Sequence, residues 1–217
     1  MEMGVGDEWR EQIAMRAAKE IKEGMVVNLG IGIPSLVSAF LPEYKHVLFQ
    51  SENGVLGIGG TLELGKEDEN LCNAAGYPVQ VVNGASFFDT AVSFGMIRKG
   101  KIDLTILGGL QVNEKGDLAN WIVPGKRVPG MGGALELVQK SKKVIILMSQ
   151  TDKNHSPKLV ERCTLPLTAR ECVNMVITEK AVFTIENRRF VLKEVMEGST
   201  VEEVVASTAA KIDIDIS

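Results

Sequence analysis

The feature that most constrains this chain is a series of short, almost unbroken apolar runs: Met25–Leu29, Val47–Gln50, Val79–Val82, Leu104–Leu107 and Val144–Met148. A strand wetted on one face alternates apolar and polar residues. Runs that do not alternate are predicted as strands covered on both faces, as in a parallel sheet. Between them, apolar residues at helical spacing predict helices near 34–41, 87–99, 132–141 and 200–211. An opening helix is predicted over 7–23, with Asp7 as its cap, Ile13, Ala14, Ala17, Ala18 and Ile21 on one face, and Gly24 as its stop. Strand alternating with helix predicts a layered α/β fold, a central sheet flanked by helices. From 171 to 196 strand-like stretches follow one another directly (CVNMVITEKAVFTI, then RRFVLKEV), so the sheet is expected to be mostly parallel or mixed. No linker, repeat or low-complexity stretch divides the 217 residues, and a single domain over 1–217 is expected.

Several function classes fall away on composition. A net charge of −4 argues against a nucleic-acid partner, which favours a basic face. No apolar run approaches the roughly 18–20 residues that span a bilayer, and the opening MEMGVGDEWREQ lacks a signal-peptide core. The expectation is a soluble, cytoplasmic protein without a membrane partner. Cys72, Cys163 and Cys172 are widely spaced, form no CxxC pair, and have only His46 and His155 to supplement them as metal ligands. No metal site is expected, and the thiols read as reduced and either buried or incidental. With two histidines, neither beside a G-x-S-x-G turn, a Ser-His-Asp triad has no obvious base. If the chain is an enzyme, its chemistry rests on carboxylates, amides and backbone.

Three glycine-rich turns each follow an apolar run. Asn28-Leu29-Gly30-Ile31-Gly32-Ile33-Pro34 leads from a strand into a helix and is either a tight turn or an anion site built from backbone N–H groups. It lacks the third glycine and acidic follow-up of a dinucleotide fingerprint. Gln50-Ser51-Glu52-Asn53-Gly54-Val55-Leu56-Gly57 places a carboxylate at the C-terminal end of a strand, the edge at which open α/β sheets bind ligands. Glu52 there either projects into a crevice or is an exposed turn residue, with Asn53-Gly54 a plain turn signal. In the third turn, from Pro124 to Ala134, Gly130, Gly132 and Gly133 either present N–H groups to an oxyanion or permit close helix–sheet packing. Lys126 and Arg127 either attract phosphates or are solvated loop cations.

These residues carry a resemblance. Gln50-Ser51-Glu52-Asn53-Gly54 with Gly57 resembles the SENG signature of family I CoA transferases. VVNLGIGIP (26–34), ASFFD (85–89), DLTILGGLQVNEKGDLANW (103–121), GMGGALELV (130–138) and CTLPLT (163–168) follow in the family's order. The resemblance covers nearly the whole chain and points to the B (beta) subunit of a 3-oxoacid or acetoacetate type. It implies an α/β fold shared with some sugar-phosphate isomerases, and a ping-pong transfer of CoA between an acyl-CoA and a short-chain carboxylic acid. Glu52 would become first a mixed anhydride and then a glutamyl-CoA thioester. No permanently bound cofactor is implied, since coenzyme A enters as substrate. The residue type suits the chemistry, because a carboxylate nucleophile needs no metal and no general base.

By the same resemblance the oxyanion donor is Gly133, followed by Gly132 and the Asn28–Gly30 turn, and Asn53 is expected to position substrate. Gly130 and Lys126 are the candidates for contact with CoA. A separate A (alpha) subunit is implied, completing the pocket in a hetero-oligomer. The chain departs from the family's usual pattern at Gln150 (histidine), Val92 (aspartate) and Ala169 (glycine), which leaves the choice of acids and the 150–157 loop open. Two other activities use the same residues: an acyl-CoA-binding module without turnover, and an acyl-CoA hydrolase with water as acceptor.

Overall fold

The computed structural model describes residues 8–42, 46–59, 65–125 and 130–216. Its strands are β1 (Val26–Leu29), β2 (Leu48–Ser51), β3 (Val55–Ile58), β4 (Val81–Phe87), β5 (Leu104–Gly108), β6 (Gln111–Asn113), β7 (Leu118–Ala119), β8 (Lys143–Leu147), β9 (Leu159–Val160), β10 (Met175–Ile177), β11 (Ala181–Glu186), β12 (Arg189–Val195) and β13 (Ile212–Ile214). The helices are α1 (Glu8–Ala18), α2 (Ile33–Leu36), α3 (Thr90–Arg98), α4 (Ala134–Lys140) and α5 (Val201–Ala206), with a 3-10 turn at Val37–Phe40 after α2.

A ten-stranded sheet runs β13-β12-β11-β10-β8-β5-β1-β2-β3-β4, and β7-β6-β9 form a three-stranded sheet. Its middle, β10-β8-β5-β1-β2, is parallel throughout. At one end β3 and β4 turn antiparallel, and at the other β11 and β12 do the same before β13 returns parallel. This is the mostly parallel, mixed α/β sheet that the apolar runs predict. β8 shows the cause. Val144 and Ile146 pack with Leu118, Phe183 and Phe190 on one face, while Ile145 and Leu147 pack with Ile13, Ala17 and Val27 on the other. None of these four β8 side chains is more than 1% exposed. Burying each contributes roughly 1.5–3 kcal/mol, so alternation would place a polar group in one core or the other.

Several boundaries differ from the sequence reading, each for a local reason. The opening helix ends at Ala18, and Gly24, at φ 79°, begins the entry to β1 rather than closing the helix; Asp7, its expected cap, lies outside the described residues. The segment predicted as a helix from 87 begins as the end of β4. Asp89 then caps α3, its side chain accepting from Val92 N at 2.8 Å. The second helix is one α turn plus a 3-10 turn. The last helix ends at Ala206 instead of 211. It starts in a capping box, Thr200 accepting from Glu203 N and Glu203 accepting from Thr200 N, and is followed by β13, which carries no apolar run. β3 and the small sheet were not anticipated either; their strands are two to four residues long, too short for periodicity to register.

Candidate active site

β1 and β2 lie side by side in parallel, with Asn28 opposite Gln50. Past Ser51 the chain reverses into β3 through Glu52-Asn53-Gly54, at the C-terminal edge of the parallel block. Gly54 N donates to Ser51 O at 3.0 Å with Gly54 at φ 118°, a conformation in which a side chain is strained. The turn is held from both flanks. Asn53 Nδ2 donates to Cys72 O (2.8 Å), Ala74 N donates to Ser51 Oγ (2.9 Å), and Phe88 N donates to Gly54 O (3.0 Å).

The half-buried Glu52 side chain meets groups from both other glycine turns. Asn28, at 1% exposure, directs Nδ2 to 3.4 Å from Glu52 Oε2 and donates to Gln50 Oε1 at 2.8 Å. A Cβ placed on Gly133 would stand 3.1 Å from Glu52 Cγ and 3.2 Å from Oε1. Gly133 backbone therefore lies against the carboxylate, where any larger residue would displace it. Gly133 is the N-cap of α4, at φ −79°, and its N–H donates to no other described residue. A side-chain amide donor, a carboxylate and the backbone at a helix start, far apart in sequence, share one corner. The arrangement can hold a nucleophile and bind negative charge developing beside it.

The other candidates are placed differently. Gly30 N donates to Ile106 O at 2.8 Å, and a Cβ there would meet Leu107 Cδ2 at 2.9 Å. Gly30 is thus a close-packing glycine, and its amide is already committed. Gly130 and Gly132, at φ 94° and 53°, face open space and shape the loop that brings Gly133 in. Asn53 acts on the turn through Cys72 and not on Glu52 directly. Lys126 and Arg127 lie outside the described residues. The sequence reading gave Gly54 only a turn role and gave none to Gln50 or Ser93. For Gln50 a signal existed, since residues i and i+2 of a strand share a face.

Residues 10–207 match the Coenzyme A transferase family. The chain belongs to that family. It is 65% identical over 214 residues, 99% of both chains, to "Probable coenzyme A transferase subunit beta" of Bacillus subtilis. It is 48% identical over 205 residues, 94% of both chains, to "Acetate CoA-transferase subunit beta" of Escherichia coli. The fold superposes on the acyl-CoA transferase YdiF of Escherichia coli O157:H7 with a TM-score of 0.78 at 19% identity, over 99% of this chain and 43% of that one. This CoA transferase chain thus matches separate beta subunits end to end, and under half of the YdiF chain.

Of the positions that depart from the resembled pattern, Val92 lies in the first turn of α3 and Gln150 follows β8. Gln150 is fully buried; its Nε2 donates to Thr208 Oγ1 (2.7 Å), its Oε1 accepts from Thr178 Oγ1 (2.8 Å), and its N donates to Glu179 Oε2 (2.9 Å). It clamps the end of β8 to the start of β11 and the end of α5. Burial pushes the thiols of Cys163 and Cys172 up to about 11 and about 12, so neither is a thiolate at neutral pH. Among the described residues no helix is long and apolar enough to cross a membrane. A cleft of about 420 Å³ is lined by Lys115, Arg162, Arg170 and Arg188, balanced by Glu114, Asp117, Glu161 and Glu171. Glu52 is not part of it. Cys172 and Val173, which bond to Gly116 beside this cleft, enter β10 from its N-terminal end, at the sheet edge opposite Glu52.

Lys158 closes the 149–158 loop with Nζ 3.3 Å from Ser149 Oγ. Burial pushes its ammonium down to about 8, against the upward pull of Glu179 and Asp152. The folded state therefore holds fewer protons than the unfolded chain between pH 8 and the ordinary lysine value of 10.5. Below pH 8 both states are charged and the full penalty is present; it is relieved as pH rises toward 10.5. Lys158→Met is expected to raise Tm at pH 6–7 by roughly 5 °C, corresponding to about 2 kcal/mol. That gain should shrink to nothing near pH 10.5 in paired melts of variant and wild type. A gain independent of pH would refute the assignment.

Proposed function

We propose that this chain is the nucleophile-bearing beta subunit of a CoA transferase that moves CoA between an acyl-CoA and a short-chain, 3-oxo type carboxylic acid. The observation that carries the reading is Glu52 at the end of β2, flanked by Asn28 Nδ2 and the Gly133 backbone. Glu52 attacks the thioester carbonyl; the C–S bond breaks, giving a mixed anhydride and CoA thiolate. The thiolate attacks the glutamyl carbonyl, releasing the donor acid as carboxylate and leaving a glutamyl-CoA thioester. An acceptor carboxylate runs the same steps in reverse, so no atom is gained or lost. Both tetrahedral intermediates carry an oxyanion, for which the Asn28 amide and the Gly133 N–H are the donors at hand. A crystal structure of YdiF is described as a thioester complex with CoA, which supports the same chemistry here.

The deciding experiment traps the intermediate. The chain, co-expressed with a transferase A-type subunit, is mixed with acetoacetyl-CoA or succinyl-CoA and reduced with borohydride. A thioester is reduced to the alcohol and a free carboxylate is not, so mass spectrometry should find a carboxyl-to-hydroxymethyl change on Glu52 that requires acyl-CoA. An unmodified Glu52 in a complex that binds CoA would overturn the reading. Gly133→Ala provides a second check. Its backbone tolerates alanine, but the new methyl sits on Glu52, so kcat should fall about 10- to 100-fold with Tm nearly unchanged.

An alpha subunit is part of the proposal. β4 is the terminal strand of the ten-stranded sheet. Beside the Glu52 turn it leaves Phe87 60% exposed, with Val82 exposed farther along the strand and Tyr77 and Val92 exposed next to it in sequence. Exposed apolar side chains on an edge that no other described strand pairs favour a protein partner. Phe87→Asp is expected to prevent co-purification of the two subunits, whereas Ile214→Asp at the far end of the sheet is not. Equal recovery from both variants would move the interface elsewhere.

A further inference from the structure

Behind Asn28 lies a chain of buried amides and a hydroxyl that the proposed chemistry does not itself use. Gln50 Oε1 accepts from Asn28 Nδ2 at 2.8 Å, and Gln50 Nε2 donates to Ser93 Oγ at 2.8 Å. Asn28, Gln50 and Ser93 are 1%, 2% and 0% exposed, so water cannot replace any of these partners. Among the described residues no buried side-chain polar atom lacks a hydrogen-bond partner. The network is closed, and its polarity follows from its Glu52 end. The Glu52 carboxylate only accepts, so Asn28 must present its NH2 group to it. That same NH2 needs an acceptor in Gln50. If the Gln50 amide rotated by half a turn, two NH2 groups would face each other in a dry site. Ser93, on α3, accepts from Gln50 Nε2 and so satisfies the donor that this orientation turns away from Asn28.

We infer that Gln50 and Ser93 are positioning residues that hold the Asn28 amide in the orientation and at the distance the reaction requires. This rests on the transferase reading above. The distances suggest how the arrangement works. Asn28 Nδ2 is 2.8 Å from Gln50 Oε1 but 3.4 Å from Glu52 Oε2. In the resting site the amide is aimed beside the nucleophile without tightly binding the oxygen that must attack. As the oxyanion forms, a donor already oriented and already desolvated meets it. Without the Gln50 side chain, Asn28 Nδ2 keeps the backbone carbonyl of residue 50, 3.2 Å away, and the long contact to Glu52 to orient it.

The test separates positioning from simple satisfaction of buried groups. In the assembled two-subunit enzyme, Ser93→Ala strands the Gln50 donor and should lower both Tm and kcat. Gln50→Met should lower kcat about 30-fold with KM for acyl-CoA within about threefold. The double variant Gln50→Met/Ser93→Ala removes both polar partners, so Tm should recover toward wild type. The single-turnover rate of Glu52 thioester formation should remain as low as in Gln50→Met. Activity that recovers together with Tm in the double variant, or wild-type kcat in Gln50→Met, overturns the inference while leaving the transferase reading standing. Wild-type enzyme that neither transfers CoA nor forms the Glu52 adduct overturns that reading, and this inference falls with it.

Discussion

Glu52→Ala is expected to remove CoA transfer from the assembled enzyme almost entirely, by at least about 10⁴-fold, while the complex still forms and still binds CoA. The size of the loss follows from the surroundings. Among the described residues, no second carboxylate is within hydrogen-bonding distance of the Asn28 amide. The structural cost should be small, since Glu52 is half-buried and its bond from Asn28 is long at 3.4 Å. Glu52→Asp keeps the charge but withdraws it by roughly 1 Å, a displacement worth about 100-fold. Steady-state transfer assays with both variants, alongside melts, check the pair. Full activity in Glu52→Ala, or wild-type turnover in Glu52→Asp, would remove the basis for a positioned nucleophile.

Gly54→Ala should damage fold and activity together. A Cβ on Gly54 would lie 1.9 Å from Phe88 O, a backbone atom, and the residue sits at φ 118°. Neither problem can be relieved by a side-chain rotation. The carbonyl that would be struck belongs to the residue whose N–H bonds back to Gly54 O, so yielding opens the junction between the Glu52 turn and the β4–α3 connection. The expected destabilisation is on the order of 4 kcal/mol, read as a fall in urea midpoint, with transfer activity lost even where the protein stays folded. A Gly54→Ala variant melting with wild type would show that the turn adopts another conformation. The contrast with Gly133→Ala is informative: there the obstacle is the flexible Glu52 side chain, and the fold should be spared.

What could be read from sequence divides along physical lines. The central strands were legible because β5 and β8 are covered on both faces, which leaves an unbroken apolar run. β4 was misplaced because it is an edge strand; Asn83, Gly84 and Ser86 are exposed, so its composition no longer reports its conformation. β3 hid inside the glycine-rich stretch around Gly57, a residue kept small by Ala85, 3.1 Å from its would-be Cβ. Glu52 was legible as a strand-end carboxylate, and the family resemblance singled it out. From spacing alone, however, turn residue and site residue remained alternatives. What the coordinates add is Gly133 against its side chain, a contact no local pattern encodes. Gly30 shows the converse: its sequence context resembles an anion loop, yet Ile106 O occupies its amide. The Gln50–Ser93 bond joins a strand to a helix through two side chains and leaves no mark on periodicity.

The order of strands in the large sheet has a consequence for how the site comes into being. Asn28 and Glu52 are brought together by β1 and β2, but Gly133 arrives only with α4, which feeds β8, and β8 reaches β1 only through β5. Asn28 and Gly133 are roughly a hundred residues apart along the chain, so their meeting needs a slow, long-range loop closure. A nascent chain that ends before Gly133 already carries the carboxylate and its turn but lacks one wall of the pocket. Reactivity of Glu52 would then report completion of the central sheet, and a half-made subunit emerging from the ribosome would leave the acyl-CoA around it untouched.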